Sequence, residues 1–266
     1  MPKIAANLTM MFNEFPFAER IAAAAQAGFK GVEYLFPYDY IKEDLAEWNE
    51  AAGVEQVLIN CPAGDWANGD RGTACIPGRE NEFRDGIGMA IEYAKALNCP
   101  RIHLVAGLAP AAGSERTAYE DTYRANIAYA GDELKKHGMI GLLETLNNRD
   151  VPGFLINNSS QVLAILEELA RDNLKLQFDV YHVQIMEGDI CRRFDTCLGQ
   201  IGHVQIANPP LRHEPDNGEL NYEYILKYID DSGYDGWVAC EYLPAGNTIS
   251  GLKWGEAYGL APNSDQ

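Results

Sequence analysis

Eight short apolar runs punctuate the chain, at residues 4–8, 31–36, 55–60, 101–106, 140–146, 174–180, 201–206 and 237–242. Each is too short for a stable helix and rich in Val, Ile, Leu or aromatics, so each is predicted to be a strand. Helical patterns fill the intervals. Residues 16–27 place Phe17, Ile21, Ala24 and Ala25 on one side, and Gly28 supplies the stop. Residues 83–97 and 122–136 read as longer helices of the same kind. Ser159 or Ser160 can cap a helix running to Leu169, and residues 222–231 form another, ended by Gly233. Strand runs that are almost wholly apolar indicate a parallel sheet covered on both faces. Eight alternations indicate an α/β fold of the (β/α)8 TIM-barrel type. The rival, an open doubly wound sheet, usually carries a glycine-rich phosphate turn after its first strand. Here the one candidate, Gly86-Ile87-Gly88, falls inside a helical pattern. A single domain over residues 1–260 is expected, followed by a tail at 261–266.

The chain has 266 residues, 47% of them apolar and 23% charged, enough for a large core without crosslinks. A formal net charge of −18 repels phosphate backbones, so nucleic acid is not an expected partner. No segment reaches the roughly 18 consecutive apolar residues of a spanning helix, and no membrane association is expected. The six cysteines form no Cys-x-x-Cys pair, and several lie in apolar runs as buried thiols do. The first residues lack the features of a signal peptide, so a cytoplasmic protein is expected. Homo-oligomerisation is left open.

Four of the strand runs end on an oxygen-bearing side chain: Leu143-Glu144-Thr145, Phe178-Asp179-Val180, Val204-Gln205-Ile206 and Cys240-Glu241-Tyr242. Burying a carboxylate is expensive unless something positive pairs with it, and few cations lie nearby in sequence. Two Glu, one Asp and one Gln amide make an all-oxygen set that suits one hard divalent cation, Mn2+ or Mg2+. Glu144 and Glu241 can serve both as ligands and as proton-transfer bases, which suits proton abstraction beside a carbonyl. His182 stands three residues after Asp179, on an expected loop, placed to hydrogen-bond a substrate oxygen. Arg212 can anchor a carboxylate or hydroxyl. Of the other histidines, His103 reads as a satisfied core residue and His203 as a support behind Gln205. His137 and His213 read as solvent-facing. Two long connections, 62–81 and 208–221, follow strands and are expected to rim the mouth where barrel active sites lie.

The chain resembles the hydroxypyruvate isomerase family of the xylose-isomerase-like barrels, which are related to the D-tagatose 3-epimerases. The likeness runs through Ala5-Ala6-Asn7-Leu8-Thr9-Met10-Met11-Phe12, Glu33-Tyr34-Leu35-Phe36-Pro37-Tyr38, Pro77-Gly78-Arg79-Glu80 and Asn148-Arg149-Asp150-Val151-Pro152-Gly153-Phe154. It continues through Gly202-His203-Val204-Gln205-Ile206-Ala207, Arg212-His213-Glu214-Pro215 and Gly236-Trp237-Val238 with Cys240-Glu241-Tyr242. The resemblance implies a metal held by Glu144, Asp179, Gln205 and Glu241, with Glu144 and Glu241 as the acid/base pair. It also implies substrate contacts from His182 and Arg212. Gln205 matches the isomerase side, since the 3-epimerases have His there. Leu243 departs from it, since a long polar residue, often Lys, usually follows the last Glu-Tyr.

A keto-acid isomerase acting on hydroxypyruvate or 2-oxotetronate is therefore expected, with a ketose 3-epimerase as the alternative. A metal-dependent endonuclease of the same superfamily is disfavoured by the charge. A non-catalytic sugar-binding barrel is disfavoured because both glutamates are present.

Overall fold

Eight parallel strands pair in chain order and close on themselves: β1 (Lys3–Asn7), β2 (Gly31–Tyr34), β3 (Glu55–Asn60), β4 (Arg101–His103), β5 (Ile140–Glu144), β6 (Leu174–Asp179), β7 (Ile201–Ile206) and β8 (Trp237–Cys240). The seam is a parallel pairing of β1 with β8 that matches Ala5 to Ala239. This is the expected (β/α)8 barrel. It comes from a computed structural model that describes residues 1–260; the expected tail at 261–266 lies outside the described residues.

The crossovers are α1 (Phe17–Gln26), α2 (Lys42–Ala52), α3 (Glu80–Ala96), α4 (Ser114–Lys135), α5 (Ser159–Leu169), α6 (Val180–Met186) with α7 (Ile190–Cys197), and α8 (Tyr222–Asp231). A 3-10 segment, Ile249–Tyr258, follows β8. Gly28, at φ +99, ends the first crossover as expected. The α5 cap is Asn158 rather than either serine. Its Oδ1 accepts from Gln161 N at 3.1 Å while Gln161 Oε1 accepts from Asn158 N at 3.2 Å, a reciprocal capping box. Helix α4 begins eight residues before its expected start at Thr122, because the polar stretch from Ser114 lies on an exposed turn that apolar periodicity cannot register. The expected strand at 101–106 stops at His103, because Ala106 turns away to bridge Gly72 in the loop after β3.

Side chains alternate across each strand. The outward set, including Val32, Ile59, Ile102, Leu143, Phe178, Val204 and Val238, packs against Ile21, Leu45, Ile87, Ile127, Val162, Phe194 and Leu226 of the helices. That interlayer is the main core. The inward set differs at its two ends. Near the N-terminal ends of the strands Ala5, Val57, Leu58, Leu142, Trp237 and Ala239 form a separate buried cluster. Gly31 makes room for it, since a Cβ there would lie 2.8 Å from the Trp237 ring. Near the C-terminal ends the inward residues are polar. All six cysteines are free; Cys191 is half-buried and the others are buried, as their apolar surroundings implied. No described helix is long and apolar enough to cross a membrane.

Candidate active site

Glu144 is the last residue of β5, Asp179 the last of β6, and Glu241 the first beyond β8. All three are buried, and one ligand atom from each, together with one from His182, lies within 4.8 Å of the others. The four strand ends singled out in the sequence thus converge on one mouth, since Gln205 is the register partner of Asp179 on the neighbouring strand.

Helix α6 begins directly after β6, with Asp179 Oδ1 accepting from Tyr181 N at 2.7 Å. His182 therefore stands in a short helix, not on the expected loop. Its β-branched flanks, Val180 and Val183, disfavour helix by propensity, but the Asp179 cap and burial of both valines outweigh that. His182 Nδ1 accepts from Asn147 N at 3.1 Å, which assigns the ring proton to Nε2. That Nε2 lies 3.5 Å from Asp179 Oδ2, so it faces the site as a donor. Burial, then the nearby Arg212 charge, hold this imidazole well below the ordinary histidine range, so it donates as a neutral group.

Arg212 arrives on the loop after β7. Its Nη2 donates to Glu241 Oε2 at 2.6 Å and lies 3.7 Å from Asp179 Oδ2. Its backbone is at φ +59, a strained region for an arginine. The tip of this loop is closed by the Asn208–His213 bridge, and His213 Nδ1 lies 2.7 Å from the Leu243 carbonyl oxygen, so His213 is not simply solvent-facing. The other long loop pairs Arg79 with Asp70 at 2.7 Å and sets Trp66 against Phe36, the rings tilted with centroids 5.2 Å apart. Its polar groups satisfy one another rather than the carboxylates.

Against three buried carboxylates Arg212 supplies one positive charge. Burial, then repulsion from Glu241 and Asp179, push Glu144 well above the usual carboxylate range. Burial raises Glu241 to about 8 despite Arg212, and raises Asp179 in the same direction. His103 corrects the expectation of a satisfied core histidine. Its Nδ1 lies 3.4 Å from Glu144 Oε2, and neither ring nitrogen has a hydrogen-bond partner. Burial pushes it down to about 3, so it brings no positive charge to Glu144.

The residues present fit a divalent cation. Glu144 Oε1 and Asp179 Oδ2 are buried with no hydrogen-bond partner, a costly state that a metal ion would relieve. Ligand atoms that all lie within 4.8 Å of one another are close enough for one divalent cation, with oxygens about 2.0–2.6 Å away, to be held by them. His182 borders the same group, but with its proton on Nε2 it faces the site as a donor rather than as a ligand.

Behind this layer lies a network that the sequence reading passed over. Glu33 Oε1 accepts from Asn7 Nδ2 at 2.9 Å and Gln205 Nε2 at 2.8 Å, and Glu33 Oε2 lies 2.7 Å from His203 Nε2. His203 thus supports Gln205 through Glu33, not directly. Asn7 Nδ2 also donates to Glu241 Oε1 at 3.1 Å. The signal was present: Glu33 is a carboxylate inside an apolar strand, as Glu144 is.

The sequence profile of the xylose isomerase-like TIM barrel family matches residues 21–258. A 2-oxo-tetronate isomerase of Cupriavidus necator is 47% identical over 97% of this chain and 99% of its own. The hydroxypyruvate isomerase of Escherichia coli is 45% identical over 97% of this chain and all of its own. A crystal structure from Brucella melitensis, described as an AP endonuclease of family 2, is 47% identical, covers 97% of this chain and 100% of that one, and superposes with a TM-score of 0.95. The chain is an isomerase and belongs to the hydroxypyruvate isomerase family within the xylose isomerase-like TIM barrels.

Proposed function

We propose that this enzyme is a divalent-metal-dependent isomerase of small 2-keto acids, converting hydroxypyruvate to 2-hydroxy-3-oxopropanoate or acting on 2-oxotetronate. The observation that carries the reading is the convergence of Glu144 and Glu241 on one buried site with unsatisfied carboxylate oxygens and a single guanidinium. The names of the full-length relatives support the keto-acid class.

Glu144, Asp179, Gln205 and Glu241 would hold the ion, Mn2+ or Mg2+. When bound, it polarises the substrate carbonyl and acidifies the neighbouring C–H. One glutamate then removes a proton from C3 of hydroxypyruvate, giving a cis-enediolate. Return of a proton to C2, with transfer of the hydroxyl proton from O3 to O2, completes the isomerisation. Glu144 and Glu241 are suited to this exchange because burial raises their proton affinity above that of an ordinary carboxylate, Glu241 to about 8. His182 Nε2 donates to a substrate oxygen, and Arg212 pairs with the carboxylate.

A ketose 3-epimerase is the second reading, favoured by one observation. Leu243 is 47% exposed beside a recess lined by Met10, Asn13, Glu14, Pro244 and Asn247, which offers a substrate carboxylate no cation. An endonuclease is disfavoured by the net charge of −18. The test is a panel of hydroxypyruvate, 2-oxotetronate, ribulose, tagatose and fructose, each with chelator, Mn2+ or Mg2+. Metal-dependent turnover of a keto acid is expected; turnover of ketoses alone overturns the reading in favour of the epimerase.

A further inference from the structure

We propose that Glu33 is a positioning residue that fixes which end of the Gln205 amide is offered to the cation, an inference that rests on Gln205 being a ligand. An amide has one end that can bind a cation and one that cannot. A buried glutamine used as a ligand must therefore be held against the half-turn that exchanges the two. A carboxylate such as Glu33 can only accept, so the group 2.8 Å from its Oε1 is the Gln205 NH2. The oxygen end is thereby turned to β6, where it accepts from Gln177 Nε2 at 2.6 Å. Gln177 lies two residues before Asp179 on that strand and shares its face. Gln177, Gln205 and Glu33 form one polarised chain of donors ending on an acceptor-only group, and Gln205 Oε1 keeps a second lone pair on the residue that is the register partner of Asp179. The same Glu33 oxygen takes the Asn7 NH2 that also holds Glu241 Oε1, so one carboxylate orients one ligand directly and a second through Asn7.

Position and charge at this site can be separated. Glu33→Gln keeps an oxygen where Asn7 and Gln205 donate. Its amide can donate to His203 Nε2 once that ring's proton moves to Nδ1, a nitrogen with no partner. Glu33→Asp keeps the charge but withdraws the oxygens by one methylene. The readout is Mn2+ affinity, from the resonance of free Mn2+ during titration, with melting in chelator as the check of folding. Affinity of Glu33→Gln within about threefold of wild type is expected. For Glu33→Asp a loss of about 10–100-fold is expected, the size typical of lost support behind a ligand. Glu33→Met, whose thioether accepts only weakly, takes the place of Glu33→Asp if the latter does not fold. A second readout needs no Glu33 variant: the Gln205 side-chain amide protons, assigned by their loss in Gln205→Met, should exchange slowly in both chelator-treated and Mg2+-loaded wild type. Wild-type affinity in Glu33→Asp, an equal loss in Glu33→Gln and Glu33→Asp, or fast exchange in the loaded protein each overturns the proposal. Wild-type protein that binds no Mn2+ overturns the metal reading itself, and this inference with it.

Discussion

The two ends of the barrel interior obey opposite rules. At the N-terminal end, Trp237, Leu142 and Val57 fill the space, and the cations Arg101 and Lys175 turn to main chain, Arg101 Nε donating to the Gly202 carbonyl at 2.9 Å and Lys175 Nζ to the Gly199 carbonyl at 3.3 Å. At the C-terminal end, three carboxylates share one arginine, and two of their oxygens have no partner. The first arrangement maximises burial of apolar surface and satisfies its polar atoms. The second keeps like charges together in a dry site, which only a ligand makes favourable. Stability and chemistry are thus separated along the barrel axis, and substitutions at the two ends should have opposite signatures.

The largest effect belongs to the mouth. Glu144→Gln and Glu241→Gln retain a ligand oxygen but cannot carry the proton, so kcat should fall about 10²–10⁴-fold. The chelator-treated Glu144→Gln protein should melt no lower than wild type, because the substitution replaces a buried carboxyl that has an unpartnered oxygen and no hydrogen-bonded cation. Rate assays and calorimetry on the same preparations check both halves, and near-normal turnover in both variants would refute the two-carboxylate mechanism. At the opposite end, Trp237→Ala empties the space beside Gly31 and should cost about 3–5 kcal/mol in denaturant unfolding. Turnover per folded molecule should change little. A large loss of kcat there would break the separation.

The pH dependence is a smaller effect with a definite sign. Folding raises the affinities of Glu144, Asp179 and Glu241 for protons, with Glu241 brought to about 8. Between the ordinary carboxylate range and about 8, the unfolded chain therefore binds fewer protons than the folded one. The metal-free protein should lose stability across that window as pH rises, and be favoured below it. Added Mn2+ should reverse the trend, since the ligands must be deprotonated to bind it. Melting curves from pH 5 to about 8.5, with chelator and with Mn2+, read both slopes. The smallest effect concerns Leu243. Leu243→Lys adds an exposed cation at the rim and should lower the Michaelis constant for a keto acid by at most about fivefold, the scale of an exposed ion pair. Harm to ketose turnover without any gain for keto acids would favour the epimerase.

Much of this division was legible in the sequence, for a physical reason. Parallel strands covered on both faces are apolar throughout, so Glu144, Asp179, Gln205 and Glu241 stood out against their neighbours. Strand number followed from the same pattern. Side-chain direction did not. Whether His103 faces the helices or the interior depends on alternation and barrel shear, so its approach to Glu144 could not be read from an isolated strand. Asn7 and Glu33 are register partners on the adjacent strands β1 and β2, 26 residues apart, and Glu33 reaches His203, 170 residues away, only once the barrel closes. Helices α2, α6 and α7 were not anticipated; α6 spans only Val180–Met186 and α7 only Ile190–Cys197, too short for periodicity to mark them well.

The most direct test of a metal-dependent proton shuttle on a keto acid is hydrogen exchange. Hydroxypyruvate incubated with enzyme and Mn2+ in D2O should gain deuterium at its hydroxymethyl carbon while 2-hydroxy-3-oxopropanoate forms. Chelator, Glu144→Gln or Glu241→Gln should suppress both. Label appearing only at carbon 3 of a ketose, with no turnover of hydroxypyruvate, would contradict the keto-acid isomerase.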